Sequence, residues 1–321
     1  MKKKVYLHIG VHKTATTFLQ WQVFPKLKGI SLVRKSNSKK LLYRIKNKKL
    51  KGEDFEEIRQ SLEKKRKGDQ PLLISYEGFS GSPFSQKKMK SSYQILSDLR
   101  NIFPKEEYDV HVILGLRNQV DLMTSLYIEF LHQGGDKKEE TYIQELVDHE
   151  VFDNYLYNQY IDHIESLYGD QYFVWVYENF KEQKEDYLLK LLNFLGFNHI
   201  PKYEHVQLNR SYGRLQAKLA RRLNKWFKTN KSPKGFIPEV KIKLKRNYSK
   251  KIVKKLFNRK RKKITLSPRS LLQNELSYKI HYKRYELSPE MKEKIMNYYI
   301  QDNEQLNQRE NLNLPEVYFH K

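Results

Sequence analysis

Between His8 and Gln20 the chain reads HIGVHKTATTFLQ. Gly10 stands three residues before Lys13, and Thr14, Ala15, Thr16 and Thr17 follow. A glycine lets the backbone turn closely, and small or hydroxyl residues opening a helix turn free N–H groups and O–H donors toward an anion. Lys13 adds a mobile point charge suited to a phosphate or a leaving oxygen. The nucleotide-triphosphatase loop needs G-x-x-x-x-G-K-S/T, and here no second glycine precedes the lysine. The residues therefore read either as a shorter cradle for a phosphate-like group or as a threonine-capped helix after a strand.

Two further segments carry chemistry. In GLRNQVDLMTS, Arg117 ends an apolar run and Ser125 follows eight residues later, two helical turns on. Together they could clamp a second phosphate; they could also be a surface arginine and a packed serine. In ISYEGFSG, Glu77 precedes Gly78 at the tip of another apolar run. A carboxylate there could take a proton from a substrate or pair with a nearby lysine. His12 and His132 are rival bases, since imidazole titrates near neutral pH. His8 alternates with Leu7 and Ile9, which places it inside a sheet.

These residues need elements to hold them. Apolar runs predict strands at Lys4–Gly10, Gly29–Val33, Pro71–Gly81, Tyr108–Leu116 and Gln171–Phe180. Helical patterns lie at Thr14–Phe24, Glu53–Lys67, Tyr93–Phe103, Asn118–Gly134, Tyr157–Gly169 and Lys184–Phe197. Alternating strands and helices imply an α/β fold of three layers, a mainly parallel sheet covered on both faces. Ligands then sit at the carboxyl ends of the strands, where Gly10–Thr17, Tyr76–Gly78 and Arg117–Ser125 all fall. The segments Ser36–Gly52, Gly81–Ser92 and Gln133–Glu140 read as loops able to shape an acceptor pocket.

The 321 residues include 23 Tyr and 16 Phe, a globular composition, and no Cys, which excludes disulfides and a cysteine nucleophile. No His/Asp cluster has metal-ligand spacing, so no metal is expected. The opening MKKKVYLHIGVHK is too polar for a signal peptide, and no run suits a membrane span. A cytoplasmic, bacterial-style protein is expected. The net charge is +25, yet Arg210–Lys263 alone holds 22 Lys or Arg against one acid, Glu239. The chain thus reads as one domain over 1–321, near-neutral apart from a basic helical insertion at about 211–285. Within it, Ser211–Lys228 and Lys243–Lys263 read as basic helices, the second striped by Tyr248, Ile252, Val253, Leu256 and Phe257. A last helix follows at about 287–311.

Lys13-Thr14-Ala15-Thr16-Thr17 resembles the K-(S/T)-x-(S/T)-(S/T) loop of the PAPS-dependent sulfotransferases, with alanine where the family usually has glycine. Arg117 and Ser125 resemble its Arg-x7-Ser element. FVWVYENF with LLNFLGF, and YYIQDNEQLNQREN with LNLPEVY, are similar to its late strand and C-terminal helix and tail. The resemblance spans about 4–215 and 287–320 and is nearest the bacterial and Golgi-type, carbohydrate-directed branch. It implies 3′-phosphoadenosine 5′-phosphosulfate (PAPS) as sulfuryl donor, leaving as adenosine 3′,5′-bisphosphate. Gly10, His12, Lys13, Thr14, Ala15, Thr16 and Thr17 would hold the 5′ side, with Arg117 and Ser125 on the 3′-phosphate. LNRSYGR is loosely similar to a further 3′-phosphate loop, which adds Asn209, Arg210, Ser211 and Arg214. Catalysis would rest on Lys13 at the bridging oxygen and Glu77, or His12, as base, by in-line displacement. The acceptor would be a hydroxyl on a glycan or glycolipid.

The family does not account for the basic segment. It fits an anionic membrane surface such as the inner membrane face, or an acidic acceptor, or a solvated lid; nucleic acid is disfavoured because few aromatics are interleaved. The alternative for the whole chain is a non-catalytic module on a nucleotide-binding fold, holding anions, membrane or nucleic acid. A small-molecule kinase lacks both the loop spacing and a Mg²⁺-binding acid.

Overall fold

The computed structural model describes residues 2–84, 90–203, 211–229, 231–238, 240–243, 263–266, 272, 283–310 and 312–319. The chain forms two compact units. The first comprises Met1–Leu122, Leu146–His205 and Glu293–Lys321, the second Met123–Glu145 and Val206–Lys292.

The first unit is built on five parallel strands: β1 (Lys3–Gly10), β2 (Ser31–Arg34), β3 (Leu72–Ser75), β4 (Tyr108–Leu116) and β5 (Tyr172–Val176). Their order is β2-β3-β1-β4-β5. Both faces of a strand must find cover when a sheet lies between helices, so β1 reads as an unbroken apolar run, fully buried from Val5 to Gly10. Its alternate side chains divide between the layers. Tyr6 joins Leu73, Ile113 and Trp175 against Leu19, Val23, Leu188 and Leu191. The helices α3 (Glu53–Glu63), α4 (Ser92–Ile102) and α6 (Tyr157–Tyr168) also pack in this unit, burying Ile58, Leu62, Leu96, Leu99, Ile161 and Ile164. β1 sits between β3 and β4, so the chain leaving it turns to one side of the sheet and β4 enters on the other. The carboxyl ends of these three strands form the crevice expected at such a reversal.

Several elements depart from the sequence reading. The segment 36–52, read as a loop, is mostly helix α2 (Lys35–Asn47), which buries Ser38, Leu42 and Ile45 at helical spacing. Its core stripe is sparse because lysines fill many of the other positions. The run from Pro71 to Gly81, read as a strand that breaks at Glu77–Gly78, is strand over Leu72–Ser75 and a 3-10 turn over Glu77–Ser80. Thr14–Phe24 is helical in three pieces, α1 (Thr16–Phe18), a π-turn at Leu19–Val23 and a 3-10 turn at Phe24–Lys26.

In the second unit, helix α7 (Arg214–Asn224) ends where the Asn224 amide donates to the carbonyls of Leu131 and Gly135, at 2.9 and 2.7 Å. Phe227–Lys228 pairs with Ile237–Pro238, and Val240–Lys243 runs antiparallel to Lys263–Leu266. The ends of the expected helix Lys243–Lys263 are thus strand; its interior, with the apolar stripe, lies outside the described residues.

Candidate active site

β1 leaves the sheet through a slip in register, with His8 opposite Ile113 and Gly10 opposite Leu114. A bulge of this kind bends a strand and re-aims the residues beyond it. Gly10 has φ +104°, and a Cβ there would lie 3.2 Å from Glu77 Cα and 3.3 Å from Ser80 Oγ. The loop can therefore rest against the 77–80 turn only with glycine at this position. Beyond it, Val11 N–H donates to Gly115 O at 2.9 Å, and Thr14 Oγ1 donates to Val11 O at 2.7 Å. The Arg117 guanidinium donates to Lys13 O at 3.0 Å. The loop that leaves β1 is thereby stitched to the end of β4.

Lys13 and Ala15 both occupy the left-handed region, at φ 66° and 60°. A Cβ is disfavoured there, which explains why a glycine would suit the place where this chain has Ala15. Ala15→Gly is expected to stabilise the protein by about 1 kcal/mol, the relief of the Cβ clash outweighing the added freedom of the unfolded chain. Urea unfolding of the two proteins reads this directly.

The loop meets a carboxylate. Thr16 Oγ1 donates to Glu77 Oε2 at 2.6 Å. Burial opposes the charge on half-buried Glu77, but the His12 imidazole, the Thr16 hydroxyl, Lys13 and Lys35 outweigh it and hold its pKa below the ordinary value. His12 donates from Nε2 to Gly81 O at 3.3 Å, and burial, with Lys46 and Lys13, keeps its pKa below the usual imidazole value against the pull of Glu77 and that carbonyl. The pair at neutral pH is an ionised Glu77 beside a neutral His12. Of the three threonines expected on the anion, Thr14 and Thr16 are buried with their hydroxyls donated to Val11 and Glu77. Thr17 is exposed.

Under the pair, fully buried His8 bonds Ser75 Oγ through Nδ1 at 2.6 Å, and Gln20 donates to the same hydroxyl at 3.1 Å. Burial lowers the His8 pKa to about 4 although Glu77 favours its charge. A histidine held neutral this way destabilises the fold in acid, since the unfolded chain binds a proton below pH 6.5 that the native state refuses. Stability from this residue falls by about 3 kcal/mol as pH drops from 7.5 to 4. His8→Gln should flatten the pH dependence of urea unfolding by that amount.

The sequence reading missed the lysines of α2. Lys35 and Lys46 both act on Glu77, and burial holds the Lys46 pKa down while Glu77 supports its charge. The spacing of Leu42 and Ile45 was the available signal for the helix that carries them. The surroundings of Arg117 were missed as well. Its guanidinium lies 5.0 Å above the Tyr177 ring, and its carbonyl accepts from Tyr157 OH at 2.8 Å. Glu178 accepts from Asn118 N–H and Tyr318 OH, at 3.3 and 3.0 Å, and burial raises its pKa despite these donors and Arg117. The sequence showed Tyr177–Glu178 as a pair but not which residues they hold.

Ser125, His132, Ser211 and Arg214 belong to the second unit. Ser125 is half-buried on α5 (Gln119–His132). His132 is buried, its ring edge-on to Tyr212 at 4.0 Å and its Nδ1 3.6 Å from Glu129. Arg214 lines a cavity of about 550 Å³ in which bases such as Lys218, Arg221 and Lys283 face the acids Glu139, Glu140 and Glu286. Asn209 and Arg210 lie outside the described residues. Among the described residues, no group of three or more His, Asp and Glu could hold a metal, and no helix is long and apolar enough to cross a membrane.

In the first unit, Arg117 is buried with Nε lacking a hydrogen-bond partner. A family model described as a sulfotransferase domain matches residues 7–273. Two solved structures are similar. A sulfotransferase from Alicyclobacillus acidocaldarius shares 14% identity over 68% of this chain and 90% of that one, with TM-score 0.46. Mouse sulfotransferase SULT7A1 complexed with PAP shares 15% over 62% of this chain and 60% of its own, with TM-score 0.38. No curated protein matches the sequence.

Proposed function

The chain belongs to the sulfotransferase family, and on that premise we propose that it moves a sulfuryl group from PAPS to a hydroxyl of a carbohydrate or glycoconjugate. One observation carries the reading: the cradle and the base share a crevice, because Thr16 of the loop bonds Glu77 at 2.6 Å. PAPS, when bound, supplies the sulfuryl group and a stable bisphosphate leaving group.

The residues of the chain divide the remaining work. Lys13 and the backbone around Gly10 hold the 5′ side, with Thr17 offering an exposed hydroxyl. Arg117 fastens the loop through Lys13 O and keeps its buried Nε for the anion. Ser125 is assigned to the 3′-phosphate on the Arg-x7-Ser spacing alone. Glu77, ionised, accepts the proton of the acceptor hydroxyl as its oxygen bonds to sulfur and the bridging S–O bond breaks. Lys13 places positive charge where negative charge gathers on the departing oxygen. His12, kept neutral, leaves that proton to Glu77.

The pH–rate profile tests the assignment. Glu77 titrates below its ordinary pKa, so transfer of labelled sulfate from PAPS to a mixed glycan pool should hold level from pH 7 down to about 4.5. A rate that instead falls with a midpoint near 6.5 would assign the base to an unperturbed histidine.

A further inference from the structure

Ten large hydrophobic side chains are exposed among the described residues, and five fall between 215 and 237: Leu215, Leu223, Trp226, Phe236 and Ile237. Trp226 is 53% and Phe236 69% exposed, with ring centroids 5.2 Å apart. This is not a loose loop that happens to face water. Ile237 N–H donates to Trp226 O at 2.8 Å, and Thr229 N–H donates to Ser232 O at 3.0 Å. Thr229 Oγ1 in turn donates to Gly134 O and accepts from the N–H groups of Lys231 and Ser232. Gly235 lets the two arms touch, since a Cβ there would come within 2.3 Å of the Phe227 backbone. The Asn224 amide ties the base of the loop to Leu131 and Gly135. A well-bonded platform thus holds two aromatic rings in solvent, an arrangement that the interior of the unit does not require.

The stretch of chain that carries the rings is basic, and one acid from outside it, Asp136, accepts from Ser232 Oγ at 3.2 Å. Lys218, Arg221, Arg222, Lys225, Lys228, Lys231 and Lys234 flank them in sequence, and no acid occurs between 205 and 238. We propose that this face docks on an anionic lipid bilayer, Trp226 and Phe236 entering the interface while the surrounding lysines and arginines meet the headgroups. Aromatic rings with a polar rim of long basic side chains suit that boundary, because lysine and arginine stems lie along apolar surface with their charges in water. A second copy of the chain would bring the same positive charge and be repelled. Single-stranded nucleic acid would stack its bases on flat rings. Here the two rings stand at 72° to each other, and aliphatic Leu223 and Ile237 complete the patch. The proposal stands apart from the sulfuryl-transfer reading and uses none of its residues.

Co-sedimentation of the full chain with vesicles tests it. Wild type should pellet with phosphatidylglycerol–phosphatidylcholine vesicles and bind pure phosphatidylcholine vesicles at least about tenfold more weakly. Trp226→Ser combined with Phe236→Ser should weaken binding to the anionic vesicles by about tenfold or more. Both side chains are exposed, so circular dichroism should show the variant folded. If it does not, quenching of Trp226 fluorescence by brominated lipid in a Trp21→Phe background replaces it, the remaining Trp175 being buried. Strong quenching supports the proposal. Wild type left in the supernatant, unquenched fluorescence, or a folded double variant that pellets like wild type overturns it. So does binding of a single-stranded oligonucleotide by a protein indifferent to vesicles.

Discussion

Glu77→Gln is expected to lower sulfuryl transfer to glycan hydroxyls by about a thousandfold, the middle of the range for losing a positioned base. The amide keeps the carboxylate's shape and an oxygen able to accept from Thr16 Oγ1, now 2.6 Å away. The loop therefore keeps its support, and only the proton acceptor is lost. Affinity for adenosine 3′,5′-bisphosphate should hold or improve, because a negative charge leaves the neighbourhood of an anion site. Transfer and binding measured on the same preparation separate the two effects. A variant within a few-fold of wild type in transfer would pass the base role to His12, whose Nε2 bonds Gly81 O at the edge of the same crevice.

The second large effect is structural. Gly115 lies in β4 where a Cβ would come 2.0 Å from Trp175 Nε1 and 2.8 Å from Thr14 Oγ1. Its carbonyl also receives the Val11 N–H at the start of the loop. Gly115→Ala should cost about 3 kcal/mol, the upper end for overpacking, because Trp175 is enclosed in the core and cannot swing away. The displacement reaches Thr14 and then the loop, so bisphosphate affinity should fall by about tenfold or more. Trp175→Phe should restore part of both losses in the double variant by removing the indole edge. Urea unfolding and calorimetry on the four proteins of this cycle give the coupling between the residues. Additive losses would mean that the steric account is wrong.

The framework of the crevice was legible because its signals are local. An apolar run ending at Gly10, a lysine three residues on and a threonine-rich helix start gave the loop. Alternating strands and helices gave a parallel sheet, and that in turn placed Glu77 and Arg117 beside the loop. Other features depend on contacts that sequence distance hides. Thr16 and Glu77 are 61 positions apart, so the bond between that hydroxyl and the carboxylate could not be read from the loop. Lys35 and Lys46 reach Glu77 only because α2 exists, and its core stripe is three small or aliphatic residues among lysines. The left-handed backbone at Ala15 could not be read from an alanine, which gives no warning of positive φ. Glu178 and Tyr318, 140 positions apart, close the far side of Arg117 by packing rather than by motif.

The most direct measurement is calorimetric titration of the wild-type protein with adenosine 3′,5′-bisphosphate, repeated on Lys13→Met. The account predicts micromolar binding to wild type, weakened by about tenfold or more when the lysine charge is lost. No heat of binding to wild type at moderate salt, with the protein folded, would contradict it.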